Sequence, residues 1–110
     1  MKFTELLDRL VYPTGTLIKR GFERVGYGDP DEIILDSPSK FLEKLAELMN
    51  EEYNQARLFI YLSAKVLEDH GVYIDAERWL RAFESDDKTF ISEWLDKLDS
   101  FFFSYPTNAA

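Results

Sequence analysis

The chain has 110 residues, of which 45% are hydrophobic and 15% aromatic, and its formal net charge is −8. This length predicts one domain, residues 1–110, with enough apolar side chains for a hydrophobic core. The acidic balance disfavours general binding to phosphate backbones, and the absence of cysteine excludes disulfides, thiolate metal ligands and a cysteine nucleophile.

The sequence shows no targeting or membrane-spanning signal. Met1–Leu10 already carries acidic residues and an amphipathic pattern, unlike a signal peptide. The longest apolar run, Leu58–Leu62, is far shorter than the ~20 residues that span a bilayer. A small secreted domain would often use disulfides, so we expect a soluble cytoplasmic protein with no membrane partner.

Two helices are predicted at the start of the chain. The first begins near Thr4, a residue type that favours N-caps, and is interrupted by Pro13. The second is expected to be capped by Thr14 or Thr16 and stopped by Gly26 and Gly28, because glycine adopts the left-handed C-terminal conformation at low cost. Gly21 lies inside the second helix and is interpreted as a point of close helix packing.

A turn and a short apolar run follow. The sequence Asp29-Pro30-Asp31-Glu32 is typical of a turn. We expect Ile33-Ile34-Leu35 to be an extended segment pinned to the core, because three apolar residues are too few for a strand and no second strand is available to pair with it.

The segment Ser39–His70 predicts one long central helix. It contains no glycine or proline, and apolar residues recur every three or four positions along it, a stripe that one packed face requires. Asp36 or Ser37 is expected to cap it, and Gly71 to end it. Further apolar residues on its other sides predict that Gln55–Leu67 is nearly enclosed by the fold.

The remaining chain, residues 75–103, predicts either one continuous helix or two. Asp75 is a candidate N-cap, and Ser85 is a candidate cap for a separate last helix. Pro106 ends helical structure, and Thr107–Ala110 should fray. The predicted fold is therefore all-α: a single compact bundle of four to five helices around one long central helix.

Catalytic and metal-binding chemistry find little support in the sequence. His70 is the only histidine and stands beside Gly71, where it is interpreted as a helix-end residue. A ferritin-like di-iron site needs two Glu-x-x-His pairs, and Leu67 stands three residues before His70. We therefore predict no catalytic residue, no bound metal and no cofactor.

Two candidate binding surfaces remain. Three consecutive phenylalanines on a helix point in different directions, so one core face cannot bury them all; the predicted protein-interaction residues are Trp94, Leu98, Phe101, Phe102, Phe103 and Tyr105. Packing within the monomer is the competing explanation for these residues. Lys19, Arg20 and Arg24 form a local basic cluster, which is either a solvated helix face or a patch for an anion or nucleic acid.

The stretch from Ile34 to Leu45, in which Phe41 follows Pro38 by three residues, opens a predicted helix that ends at His70-Gly71. This arrangement resembles small helical output domains of archaeal signalling proteins, whose helix opens with the same spacing and ends in glycine. The glycine expected after the first turns is absent, and Asn50 stands nearby. The resemblance covers about a third of the chain and implies a regulatory, non-catalytic role through protein contacts.

These observations predict a small non-enzymatic interaction or regulatory module that forms a homodimer or docks a protein partner through aromatic surface. One alternative is a nucleic-acid-associated accessory factor that uses the basic cluster. The negative net charge of the chain disfavours this alternative. The other is a small-molecule-binding helical domain, which predicts a sizeable internal cavity with converging polar groups.

Overall fold

The computed structural model describes residues 1–104, except for the side chains of residues 103 and 104, and this part of the chain contains seven α-helices and no β-strand. The helices are α1 (Phe3–Leu10), α2 (Thr14–Val25), α3 (Pro30–Asp36), α4 (Pro38–Leu48), α5 (Tyr53–Asp69), α6 (Ala76–Glu84) and α7 (Lys88–Ser104). The all-α prediction is confirmed, and the predicted count of four to five helices is wrong. The fraying predicted for Thr107–Ala110 lies outside the described residues.

The single long helix predicted for Ser39–His70 is wrong, because the chain reverses between α4 and α5. Asn50 and Glu51 adopt left-handed φ angles of 61° and 63°. The Glu51 N–H donates to the carbonyl of Ala46 at 2.8 Å, a bond that closes the last turn of α4 in the way a glycine C-cap usually does. This reversal lets α4 and α5 pack side by side, so that both bury a face in one core.

Two further segments are helical. The sequence predicts an extended conformation for the first and leaves the second open between one helix and two. Ile33–Leu35 belongs to α3 instead of an extended segment, since Asp29 caps this helix by accepting from the Asp31 N–H at 2.9 Å. Residues 75–103 form two helices, α6 and α7. Asp86 turns the chain between them with a left-handed φ of 58°.

Several local helix signals act as the sequence predicts. Ser37 and Asp75 cap α4 and α6 through their side chains. Gly26 ends α2 with a φ of 80°, and Gly71 follows α5 with a φ of 87°. Thr4, Ser85 and the threonines after Pro13 do not act as the predicted caps. Thr4 lies inside α1, and Thr14 and Thr16 lie inside α2, whose N-cap is Pro13. The Ser85 hydroxyl donates back to the carbonyl of Arg81 at 2.7 Å.

Three helix N-termini are held by carboxylates from distant parts of the fold. Asp31 accepts hydrogen bonds from the Thr4 N–H at 3.0 Å and from the Thr4 hydroxyl at 2.6 Å. Asp8 binds the N–H and hydroxyl of Thr16 in the same way, at 3.0 and 2.7 Å. Asp86 accepts from the Ser39 N–H at 2.9 Å. Each carboxylate satisfies backbone N–H groups that have no partner within their own helix and complements the helix dipole, so it ties that helix to another part of the fold.

Aromatic rings from four helices form the centre of the hydrophobic core. Phe3 of α1 lies 5.7 Å from Phe41 of α4 and 5.4 Å from Phe83 of α6, measured between ring centroids. Phe22 of α2 stacks on Phe41 at 5.6 Å. Trp79 of α6 is fully buried beside Phe83, and its indole N–H donates to the Ser63 hydroxyl of α5 at 3.0 Å. Side chains from all seven helices reach this core.

Close contact between α1 and α2 depends on glycine. A Cβ atom at Gly15 would lie 1.8 Å from the carbonyl oxygen of Thr4, so the two backbones are in direct contact there. Gly21 lies against the side chain of Leu48, where a Cβ would come within 2.8 Å of a terminal methyl group. The interpretation of Gly21 as a point of close packing is therefore confirmed.

A candidate protein-docking surface

The predicted interaction residues of α7 divide between core and surface. Leu98 and Phe102 are buried, with 1% and 3% of their surface exposed. Phe102 lies against the Arg9 guanidinium, 5.6 Å from its ring centroid, and against the imidazole of His70. Both residues therefore complete the monomer core, which is the competing explanation given for them above.

Trp94 and Phe101 are half-buried at the edge of that core, and the Lys97 ammonium lies 4.8 Å from the Trp94 ring centroid. The side chain of Phe103 and all of Tyr105 lie outside the described part of the chain. The aromatic surface predicted at the end of α7 is thus reduced, among the described side chains, to the outer parts of Trp94 and Phe101.

The three basic residues of α2 are exposed but do not form one patch. Lys19 shares a surface groove of about 480 Å³ with Glu23 and Asp29. Successive residues of a helix are turned by about 100°, which places Lys19 and Arg24 roughly 140° apart around α2. Arg20 and Arg24 instead lie on the side of α2 that also carries the exposed residue Leu17.

An apolar surface that the sequence did not predict lies on α5. Leu58 and Leu62 are 48% and 47% exposed, and Phe59 and Val66 beside them are half-buried. Their spacing of three and four positions places these four residues on one side of the helix. We call them the α5 apolar face. The prediction that Gln55–Leu67 is nearly enclosed is therefore wrong on this side.

The core side of α5 explains why the helix cannot bury this face as well. Ala56, Ile60, Ser63, Ala64 and Leu67 point inward, and three of the five are small. Small residues let α5 lie close against its neighbours along one line. No element among residues 1–104 covers the outer face, because α1 and α2 pack beside α5 and leave grooves between them.

Two surface grooves extend the α5 apolar face toward α1 and α2. The first has a volume of about 160 Å³ and lies between Leu10 and Val11 on one side and Leu62 and Val66 on the other. The second, of about 290 Å³, lies between Leu17 and the end of α4 at Leu48. Thr14 and Phe59 line both grooves, so the apolar surface is continuous.

The charged residues around this surface are arranged unevenly. Arg57 is paired with Glu84, 2.7 Å from its Nε atom to the carboxylate, and so faces α6. On the exposed side of α5, the helical spacing places Gln55 and Asp69 at the two ends of the apolar face and Lys65 along its margin. Arg20 and Arg24 lie beside Leu17, on the side of the second groove that α2 forms.

Two of the carboxylates with shifted pKa values, Asp86 and Asp87, serve the fold. The pKa of Asp86 is lowered because the Ser39 N–H and the Ser37 hydroxyl donate to its carboxylate. The pKa of Asp87 is lowered mainly by its hydrogen bond from the Arg78 guanidinium at 2.6 Å. Each shift therefore has a structural partner, and neither carboxylate faces the apolar surface.

Comparisons with protein-family models, with curated proteins and with solved structures found no match to this chain. Within residues 1–104, no helix combines the length and apolar character needed to cross a membrane. The same part of the chain contains no group of three or more histidine, aspartate or glutamate side chains that could hold a metal ion. The function must therefore be argued from the surface alone.

Proposed function

We propose that this protein is a small, non-enzymatic interaction module that binds a protein through the α5 apolar face and its two grooves. The observation that supports the proposal is the half-exposure of Leu58 and Leu62 on a helix whose opposite side is already in the core. Burying a leucine fully stabilises by about 1.5–3 kcal/mol, so covering the exposed halves of both would recover about 2 kcal/mol.

Helix formation does not explain these leucines. Glutamine, lysine and glutamate have helix propensities close to that of leucine and would leave the outer side of α5 polar. Leu62 lies across the first groove from the exposed residue Val11, and Phe59 lies across the second from the exposed residue Leu17. A continuous apolar area bordered by polar residues is typical of a protein-binding site.

The other predicted functions have weaker support. A nucleic-acid site would need a continuous basic patch, whereas Lys19 and Arg24 lie on different sides of α2 in a chain of net charge −8. A small-molecule site would need converging polar groups, whereas the grooves beside α5 are lined mainly by apolar side chains. The regulatory role implied by the resemblance stays a prediction.

The proposal is tested by affinity capture from the native host with a Leu58→Ser/Leu62→Ser double variant. Leu35→Ser is the matched control, because Leu35 is 58% exposed on α3, away from both grooves. We expect the double variant to lose bound proteins that the wild type and the control retain, while its urea unfolding midpoint changes little. Equal capture by all three proteins would contradict the proposal.

A further inference from the structure

We propose that the occupant of the α5 apolar face is a second copy of this chain, whose α5 lies antiparallel and crosses at Leu62. This inference rests on the proposed function and names the partner. Five residues on the outward side of α5 are symmetric in spacing about Leu62. They lie three, four, four and three positions apart, at Gln55, Leu58, Leu62, Val66 and Asp69.

A two-fold axis through Leu62, perpendicular to the helix, uses this symmetry. It places Leu62 of one copy opposite Leu62 of the other, and Leu58 opposite Val66. Gln55 then lies opposite Asp69, where the amide can donate a hydrogen bond to the carboxylate. The apolar positions along the contact line meet apolar positions and the polar ends meet each other, as a self-complementary two-fold interface requires. Phe59 comes level with Lys65 of the other copy, at the margin of the contact.

Charge decides between the antiparallel and the parallel arrangement. Parallel helices would bring Asp69 beside Asp69 and Lys65 beside Lys65, and like charges at such positions repel. The antiparallel arrangement separates the two copies of Lys65 by about 9 Å along the helix axis, at 1.5 Å per residue. It also opposes the two helix dipoles, which is the favourable orientation.

The side of the second groove that α2 forms carries positive charge, which complements the acidic end of the other copy's α5. Arg20 and Arg24 flank the exposed Leu17 near Leu48, and no salt bridge pairs them within the described residues. Leu48 and the neighbouring start of α5 lie at one end of the shared surface. In the antiparallel arrangement this end receives the acidic C-terminal end of the other copy's α5, which carries Asp69.

The size of the surface predicts a modest affinity. From Gln55 to Asp69 the contact line is about 21 Å long, and one helix is about 10 Å wide. The facing helices then bury about 200 Å² per copy, and even with the contributions of Val11 and Leu17 the interface stays well below the roughly 800 Å² per partner of a standard complex. We therefore expect a weak association, with a dissociation constant on the order of 10 µM.

Engineered cysteines test the arrangement directly, because the chain has no cysteine of its own. Leu62→Cys is expected to form a disulfide-linked dimer under mild oxidation at 50–100 µM, about ten times the expected dissociation constant. Leu35→Cys, equally exposed on α3, is the matched control and should remain uncrosslinked. Leu58→Cys alone and Val66→Cys alone should crosslink weakly, because each cysteine lies ~12 Å along the helix axis from the same cysteine in the other copy. A mixture of the two variants should crosslink strongly, because residue 58 of one copy then lies opposite residue 66 of the other.

Sedimentation equilibrium of the unmodified chain gives the affinity and separates the two proposals. A monomer at 200 µM, or crosslinking of Leu62→Cys no greater than that of Leu35→Cys, would overturn the second-copy proposal. Strong crosslinking of Leu58→Cys to itself would overturn the antiparallel arrangement. If the chain is monomeric and Leu58→Ser/Leu62→Ser still loses captured host proteins, only the identity of the occupant is wrong. If capture is unchanged as well, both proposals fail.

Discussion

Replacing Gly15 with alanine tests the contact between α1 and α2. The added Cβ would lie 1.8 Å from the carbonyl oxygen of Thr4 and 2.7 Å from its carbonyl carbon. Both atoms belong to backbone, so no side-chain rotation relieves the overlap. Moving the oxygen out to 3.0 Å, below which real Cβ contacts are essentially never found, requires the helices to separate by about 1.2 Å.

The free-energy cost of separating α1 from α2 follows from the contacts around Gly15. It would stretch the two hydrogen bonds from Thr16 to Asp8 and loosen the packing of buried Leu7 and Ile18. Overpacking of this kind costs about 1–3 kcal/mol or more, and the better helix propensity of alanine returns at most about 1 kcal/mol. We expect the free energy of unfolding to fall by about 2 kcal/mol, which lowers Tm by roughly 8 °C.

Gly21→Ala is the matched control, because it makes the same change in the same helix. Its Cβ would meet the Leu48 side chain at 2.8 Å, and the end of a leucine can move aside. We expect its stability to stay within about 1 kcal/mol of the wild type. Urea unfolding followed by circular dichroism and tryptophan fluorescence measures both variants. A Gly15→Ala midpoint equal to or above that of Gly21→Ala would refute the backbone-contact argument.

Two further predictions concern carboxylates that join helices. Asp31→Ala is expected to lower the free energy of unfolding by about 3 kcal/mol, because it leaves the buried N–H and hydroxyl of Thr4 without an acceptor. A urea titration that shows a loss below about 1 kcal/mol would contradict this. Asp86→Asn is expected to lower the urea midpoint at pH 7 and to lower it by less at pH 3, below the ordinary pKa of 3.8. Hydrogen bonds from Ser39 and Ser37 lower the pKa of Asp86 in the folded protein. The stabilisation of the fold by this carboxylate is therefore complete above the ordinary value of 3.8 and is lost as the pH falls through the lower folded value. Equal losses at both pH values would contradict the charge effect.

The helix ends that the sequence predicts correctly are those set by neighbouring residues. Asp75 caps α6 through the N–H groups of Glu77 and Arg78, and Gly26 provides the left-handed turn after α2. These interactions join residues no more than three or four positions apart. A cap can therefore be recognised from residue type and spacing without knowledge of the rest of the fold.

The break between α4 and α5 illustrates the opposite case. The helical spacing of apolar residues continues from Leu45 through Met49 to Ala56, so periodicity alone predicts an unbroken helix. Asn50 tolerates the left-handed conformation, but it also occurs inside helices. The reversal is favoured because the two halves bury their faces against each other, and this gain exists only in the folded state.

The site that we propose on α5 differs from the aromatic site that the sequence predicts on α7. Three consecutive phenylalanines suggested an aromatic surface at the end of α7, yet Phe102 packs between Arg9 and His70 in the core. The signal for the α5 apolar face was present, since Leu58 and Leu62 extend the apolar character of α5 around the helix. It was interpreted as burial within the monomer, because a sequence does not distinguish a side covered by its own chain from one covered by another.

The all-helical class, most of the helix-bearing segments and the caps at Asp75 and Gly26 could be predicted from the amino-acid sequence. These depend on hydrophobic periodicity and on contacts between near neighbours in the chain. The number of helices, the capping of Thr4 by Asp31 and the exposed side of α5 could not. Each of these depends on which distant segments meet, and that is set by the total burial and hydrogen bonding of the fold.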